Sequence, residues 1–110
     1  MANSVEFEAK NVGDWNVVSF IGRVDTITAP QAEERSMEEL GKTNKLALNL
    51  SQLSYISSAG LRVLLRLAKQ SKKDGKEFAV CSVTGIVREV LEESGMDSLI
   101  TLYDDESELK

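Results

Sequence analysis

A mixed, mostly parallel α/β sheet opened by a β-hairpin, with helices packed mainly on one face, is the fold class this 110-residue sequence predicts. Three observations point to it. Two strand-like runs, at 5–10 and 15–21, are separated only by a short polar turn. From residue 28 onward the apolar pattern alternates between helical and strand periods, an order that implies parallel crossovers. Hydrophobic residues make up 42% of the chain, enough for one core, and a chain of this length holds one domain. Residues 1–110 therefore read as a single domain without linker, repeat or low-complexity stretch.

Val5, Phe7 and Ala9 alternate with Glu6, Glu8 and Lys10, the period-two pattern of a strand with one wet face. The stretch 11–14 makes a turn. The run WNVVSFI at 15–21 is apolar at nearly every position, as expected of a more central strand paired antiparallel with the first. Thr28-Ala29-Pro30-Gln31 reads as a helix start, in which Thr28 caps, Gln31 reaches back three residues later and Pro30 is tolerated in the first turn. That helix is expected to reach Leu40 and to end at Gly41. Ala29, Ala32, Met37 and Leu40 face inward in this reading, and Glu33, Glu34, Glu38 and Glu39 make an acidic outer face.

Leu46, Leu48 and Leu50 alternate with Ala47 and Asn49 in a third strand. After the connection LSYISSAG comes a second helix, whose buried stripe is expected at Leu61, Leu64, Leu65 and Ala68, widened by Val63 and Leu67. Arg62, Arg66, Lys69 and Lys73 share its opposite face. FAVCSV at 78–83 reads as a buried strand containing Cys81. Ile86, Val87, Val90 and Leu91 supply the stripe of a third helix, closed by Gly95 with Met96 just beyond. A last strand at 99–102 precedes an acidic tail with room for a helical turn.

Composition narrows the function. Thirteen lysines and arginines stand against 18 aspartates and glutamates, a net charge of −5, so there is no basic field to hold a nucleic-acid backbone. The chain has no histidine, which removes the commonest general base and the commonest zinc ligand, and its one cysteine cannot form an internal disulfide. No apolar run approaches the roughly 18 residues of a membrane span, and the start MANSVE lacks the basic and apolar regions of a signal segment. A cytoplasmic protein without membrane association, metal or cofactor is expected, with a monomer as the default.

The most informative segment is Leu53-Ser54-Tyr55-Ile56-Ser57-Ser58-Ala59-Gly60-Leu61, a serine pair at the entry to an amphipathic helix. Its plainest reading is helix capping. A nucleophile elbow is disfavoured, because Ile56 stands where a glycine should precede Ser58 by two and no histidine is available as base. A phosphoacceptor site of the response-regulator kind would need an acid where the third strand offers Asn49, and no phosphate-binding glycine loop occurs. What remains is a serine that is a substrate rather than a catalyst. A phosphate adds about −1.5 to −2 charges, which a helix N-terminus tolerates through its free N–H groups and dipole.

Gly22-Arg23-Val24-Asp25 followed by Thr28-Ala29, then the strand 46–50, then Ser57-Ser58-Ala59-Gly60-Leu61, resembles the anti-sigma factor antagonists of the STAS domain family. The resemblance spans about 5–103. It implies a non-enzymatic bacterial transcription regulator whose unmodified form binds an anti-sigma factor and so frees the sigma factor. It implies further that the anti-sigma factor is a serine kinase using ATP, that phosphorylation of Ser58 releases the complex, and that a serine phosphatase resets the cycle. By the same resemblance Asp25 contacts the partner and aids recognition by the kinase, and Asp25, Thr26, Ser57, Ser58, Ala59, Gly60 and Arg62 form the expected partner-binding set. The family often carries aspartate where this chain has Asn49 and Ser57, which leaves Ser57 as a minor alternative acceptor.

Three blander assignments stand beside these. Arg62 and Arg66 read first as a solvated helix face, Cys81 as a small core residue and Trp15 as strand packing. The runner-up function is a STAS-type scaffold or sensor that binds a nucleotide or another small ligand near the same turn. A serine hydrolase is a third and weaker alternative.

Overall fold

The computed structural model describes residues 4–110. The first three residues, part of the start read above as lacking a signal segment, lie outside the described residues. Nine main elements follow one another: β1 (Val5–Val12), β2 (Trp15–Val24), α1 (Ala29–Gly41), β3 (Lys45–Asn49), β4 (Leu53–Ile56), α2 (Ser58–Lys73), β5 (Glu77–Cys81), α3 (Gly85–Glu93) and β6 (Thr101–Tyr103). Short 3₁₀ turns occupy Met96–Ser98 and Glu106–Glu108, the second being the turn expected in the acidic tail.

The sheet runs in the order β1-β2-β3-β5-β6, with β4 paired to β2 off this path. β1 and β2 are the antiparallel hairpin, in register from Val5 opposite Gly22 to Val12 opposite Trp15, so the turn is only two residues rather than the four expected. All other pairings are parallel. β2 is long enough to serve two partners, pairing with β3 along 16–19 and with β4 along 22–24, across a register shift between Gly22 and Arg23. At that shift Gly22 takes φ +110, and a Cβ there would stand 2.6 Å from the Ser4 carbonyl oxygen, which accepts the Arg23 N–H instead.

Alternation along the strands sorts two faces. Val18, Phe20, Leu46, Leu48 and Val80 point into the larger core, where they meet Ala29, Ala32 and Leu40 of α1, Val63, Leu64 and Leu67 of α2, and Val87 and Leu91 of α3. All three helices therefore cover one face, as the patterning predicted. Trp15, Val17, Ala47, Ala79 and Cys81 line the other face, which is covered by the tail through Leu109. Tail and sheet are also joined by hydrogen bonds: Trp15 Nε1 donates to the Lys110 backbone oxygen at 3.0 Å, and Asn49 Nδ2 to Glu106 at 2.6 Å. Glu106 in turn pairs with Lys10 at 2.8 Å. Burial pushes the Cys81 thiol up to about 11, consistent with its assignment as a core residue.

Several expectations are corrected. β4 is a strand within the stretch expected to be connection, where four residues beside a serine pair carry little periodicity. The buried stripe of α2 is Gly60, Val63, Leu64, Leu67 and Ser71, turned away from Leu61, Leu65 and Ala68, which are only partly buried. α1 includes Gly41 instead of stopping before it. β5 ends at Cys81, where Ser82 takes φ 61, and the last strand starts at Thr101 with Leu99 exposed. Ile86, placed in the stripe of α3, is 66% exposed.

Glu39 is the largest correction on the helices, because it belongs to the buried face of α1 instead of the acidic outer one. Asn16 Nδ2 donates to its carboxylate at 2.8 Å and Arg35 Nε at 3.0 Å, with Lys42 at 3.7 Å. The Asn16 hydrogen bond, foremost, and these cations hold Glu39 below its ordinary value of 4.5 despite its burial. A carboxylate whose folded-state pKa is depressed contributes stability above its unfolded value, and that contribution fades as pH falls through the folded value. Denaturant titrations between pH 6 and 3 are expected to show a weaker loss of stability for Glu39→Gln than for wild type. The same acid slope in both proteins would remove Glu39 as its source.

Candidate functional site at the carboxyl end of the sheet

β2 and β4 end side by side, at Val24 and Ile56, and each feeds a helix. The two exits are tied by a hydrogen bond from the Ser57 N–H to the Val24 carbonyl at 2.9 Å. In parallel α/β sheets this end collects helix N-termini and is where sites are usually assembled. All seven residues of the expected partner-binding set lie on these two exits or on the first two turns of α2.

The first exit is braced by Asp25. Its Oδ1 accepts from the N–H groups of Ile27 at 2.9 Å and Thr28 at 3.0 Å, closing an Asx-type turn before α1. The Thr28 hydroxyl donates to the Arg23 carbonyl at 2.9 Å and accepts from the Asp25 N–H at 2.9 Å. The Thr28 N–H, foremost, with the Ile27 N–H, the Thr28 hydroxyl and the Arg23 charge, holds Asp25 below the usual carboxylate range against partial desolvation. The expected Thr28–Gln31 cap of α1 does not form: Thr28 already has helical backbone angles and its side chain makes no capping bond. Its hydroxyl points back to β2, and Asp25 serves the backbone three residues earlier. Asp25 thus has an internal role that the spacing did not reveal.

The second exit separates the two serines by task. Ser57 is extended, at φ −92 and ψ 176, and its Oγ accepts from the Gly60 N–H at 3.3 Å, so it is the N-cap of α2. Ser58 is the first residue of the helix; it is exposed, and its hydroxyl makes no hydrogen bond among the described residues. Among the described residues no side-chain base hydrogen-bonds to either hydroxyl. Gly60 is what lets the turn sit this low: a Cβ would lie 2.6 Å from Ile56 Cγ1 and 2.9 Å from Val24 Cγ1.

Around the serines the surface is mixed. Thr26 from the first exit and Ala59 and Arg62 from α2 face one another across a groove between α1 and α2. The groove has a volume of about 450 Å³ and continues along Glu33, Glu34 and Arg66. Arg66 bridges it to Glu33 at 2.6 Å, an exposed ion pair that contributes about 0–1 kcal/mol. On the β4 side the Arg23 guanidinium lies 4.3 Å above the Tyr55 ring. Ile27 in the first exit is 70% exposed. Sequence reading missed the Arg23–Tyr55 stack because it missed β4, although Tyr55 between Ser54 and Ile56 carries β propensity that marks it in retrospect. Among the described residues no group of three or more histidines, cysteines or carboxylates converges as a metal site would require. No helix among them is long and apolar enough to cross a membrane.

Two stability outcomes follow from this division. Ser57→Ala is expected to lower unfolding free energy by about 0.5–1 kcal/mol through loss of the cap, whereas Ser58→Ala changes it by less than about 0.5 kcal/mol. Equal losses in chemical denaturation would contradict the assignment of the cap. Gly60→Ala is expected to cost about 1–3 kcal/mol by overpacking against Val24 and Ile56, even though alanine is the better helix former. A neutral or stabilised Gly60→Ala protein would contradict the tight approach of α2.

Comparison with known proteins agrees with the architecture. The STAS domain model matches residues 6–109. BtrV of Bordetella bronchiseptica, assigned as an anti-sigma factor antagonist, is 40% identical over 79 residues, covering 71% of this chain and 68% of BtrV. A crystal structure of a Thermotoga maritima protein with the same assignment superposes with a TM-score of 0.85 at 29% identity, covering 93% of this chain and 89% of that one. The fold is also that of SpoIIAA in its unphosphorylated form, with a TM-score of 0.75 at 17% identity and coverage of 93% and 91%. SpoIIAA from Bacillus is known in a phosphorylated form as well. With the matched model spanning nearly all of its length, this chain belongs to the STAS domain family.

Proposed function

We propose that this protein is an anti-sigma factor antagonist that docks an anti-sigma factor on the carboxyl end of its sheet and is switched off by phosphorylation of Ser58. One observation carries the choice of serine. Ser57 spends its hydroxyl oxygen on capping α2, whereas Ser58 presents an exposed hydroxyl with no internal partner at the first position of the same helix. The names of the relatives support the class of partner, and SpoIIAA supplies a precedent for both phosphorylation states on this fold.

In this reading the anti-sigma factor is itself a serine kinase. The Ser58 Oγ attacks the γ-phosphorus of ATP, the O–P bond forms as the β–γ bridge breaks, ADP leaves, and the hydroxyl proton passes to a base of the kinase. The new charge sits where α2 has no acid in its first turn, so the helix N-terminus tolerates it and the fold persists. A complex that buries this turn tolerates it far less: a desolvation penalty of about 3 kcal/mol weakens binding roughly a hundredfold. A serine phosphatase restores the binding form. Asp25 holds the first exit in shape, Gly60, expected among the partner contacts, lies buried beneath the turn and sets its height, and Thr26, Ser57, Ser58, Ala59 and Arg62 form the contact surface, in the cytoplasm where sigma factors act.

The groove between α1 and α2 favours a second reading, a scaffold or sensor for a small ligand, because about 450 Å³ lies within the range of ligand sites. The first reading is tested by incubating the protein with its partner anti-sigma factor, ATP and Mg²⁺ and mapping the product by mass spectrometry. One phosphate on Ser58 is expected, absent in Ser58→Ala and retained in Ser57→Ala, and affinity for the partner falls by about two orders of magnitude in the modified protein. Phosphate on Ser57, or undiminished binding after modification, overturns the proposal. Saturable nucleotide binding in the groove without phosphotransfer establishes the second reading.

A further inference from the structure

We propose that Arg62 is the internal receptor of a phosphate on Ser58, pairing with it along one turn of α2. The inference rests on the Ser58 reading above and adds to it a residue that senses the modification. All but one of the described arginines have a partner. Arg35 is paired with Glu39, Arg66 with Glu33, and Arg88 with Glu92 and Asp104, while Arg23 lies over Tyr55. Arg62 alone among the described arginines has no ion pair, hydrogen bond or ring contact.

Its position gives that vacancy a purpose. Arg62 stands four residues after Ser58 in the same continuous helix, and residues at this spacing are neighbours on a helix surface. Helical side chains lean toward the N-terminus, so a long side chain at 62 covers the turn that begins with Ser58. Both residues are exposed, so neither must be uncovered to meet the other. A guanidinium offers a planar fork of donors that matches a phosphate, and such charge-assisted bonds are about twice as strong as neutral ones.

The other charges near the site are already committed or belong to the wrong sign. On α1, Glu33 holds Arg66, and Glu34 is an exposed carboxylate that repels a phosphate. At the first exit Asp25 carries its charge into the backbone of the turn, and Arg23 is stacked on Tyr55 of β4. In the unmodified protein Arg62 is therefore a free cation on the rim of the groove. After modification it is drawn to the phosphate, so the rim loses a donor at the moment the turn gains a negative group. One modification then alters two features of the docking surface.

The test uses full-length protein with phosphoserine installed at position 58 during translation, so that it does not depend on any kinase. Phosphorus NMR titration reads the second ionisation of the phosphoserine, ordinarily near pH 6. Pairing with Arg62 favours the dianion, and Arg62→Gln is expected to raise that pKa by about 0.3 pH unit or more, with Arg62→Lys recovering much of the difference. Arg66→Gln, two turns from Ser58 and already paired, is the control and is expected to leave it unchanged. An unmoved pKa in Arg62→Gln, or an equal rise in Arg66→Gln, overturns the proposal. Failure of a partner kinase to modify Ser58 would instead count against the functional reading, in an experiment separate from this one.

Discussion

The missing Cβ of Gly60 is the constraint on which the site depends. Without it the first turn of α2 rests directly on Val24 and Ile56, the last residues of two neighbouring strands. That contact fixes the height of the helix over the sheet, and the Ser57 N–H can then reach the Val24 carbonyl. With Ser57 held, its side chain has one option, the Gly60 N–H, and Ser58 is left outside as the first exposed hydroxyl. The chain of consequence runs from an absent methyl group to the chemical availability of one oxygen.

The same arrangement separates the parts that must stay fixed from the parts that can change. Apolar side chains of all three helices lock onto one face of the sheet, and the side-chain oxygens of Asp25 and Ser57 accept backbone N–H groups of Ile27, Thr28 and Gly60 at the two helix entries. Ser58, Thr26 and Arg62 stand outside this framework on exposed positions. A charge added at Ser58 meets helix N–H groups and solvent instead of a packed core, so modification acts on what binds the surface and leaves the packing below it alone.

Much of this was legible in the sequence, and the exceptions have physical causes. The hairpin and the three helices were legible because each shows its own spacing, period two in Val5-Phe7-Ala9 and i, i+3, i+4 in Val87-Val90-Leu91. β4 was hidden because its four residues do not alternate, Leu53 and Ile56 being buried with Ser54 and Tyr55 exposed between them, and because its partner is the far end of β2, across a register shift between Gly22 and Arg23. The buried Glu39 was hidden because its burial depends on Asn16, 23 residues away in the chain. The rotation of the α2 stripe was hidden for a related reason: a glycine counts as neither polar nor apolar in a periodic pattern, yet Gly60 is the deepest contact of the first turn. The serine pair was located by sequence, but assigning cap and free hydroxyl needed backbone angles.

The tail laid over the back of the sheet has a spectroscopic consequence. Trp15 is the single tryptophan of the chain, and its indole N–H is bonded to the backbone oxygen of Lys110, with the Lys45 ammonium 5.7 Å from its ring. Indole emission responds to the polarity and hydrogen bonding of its immediate surroundings. The native fluorescence of this protein is therefore an optical readout of whether residues 104–110 are seated on the far face. Trp15 lies on the face of the sheet opposite the three helices, away from the α2 turn that carries Ser58.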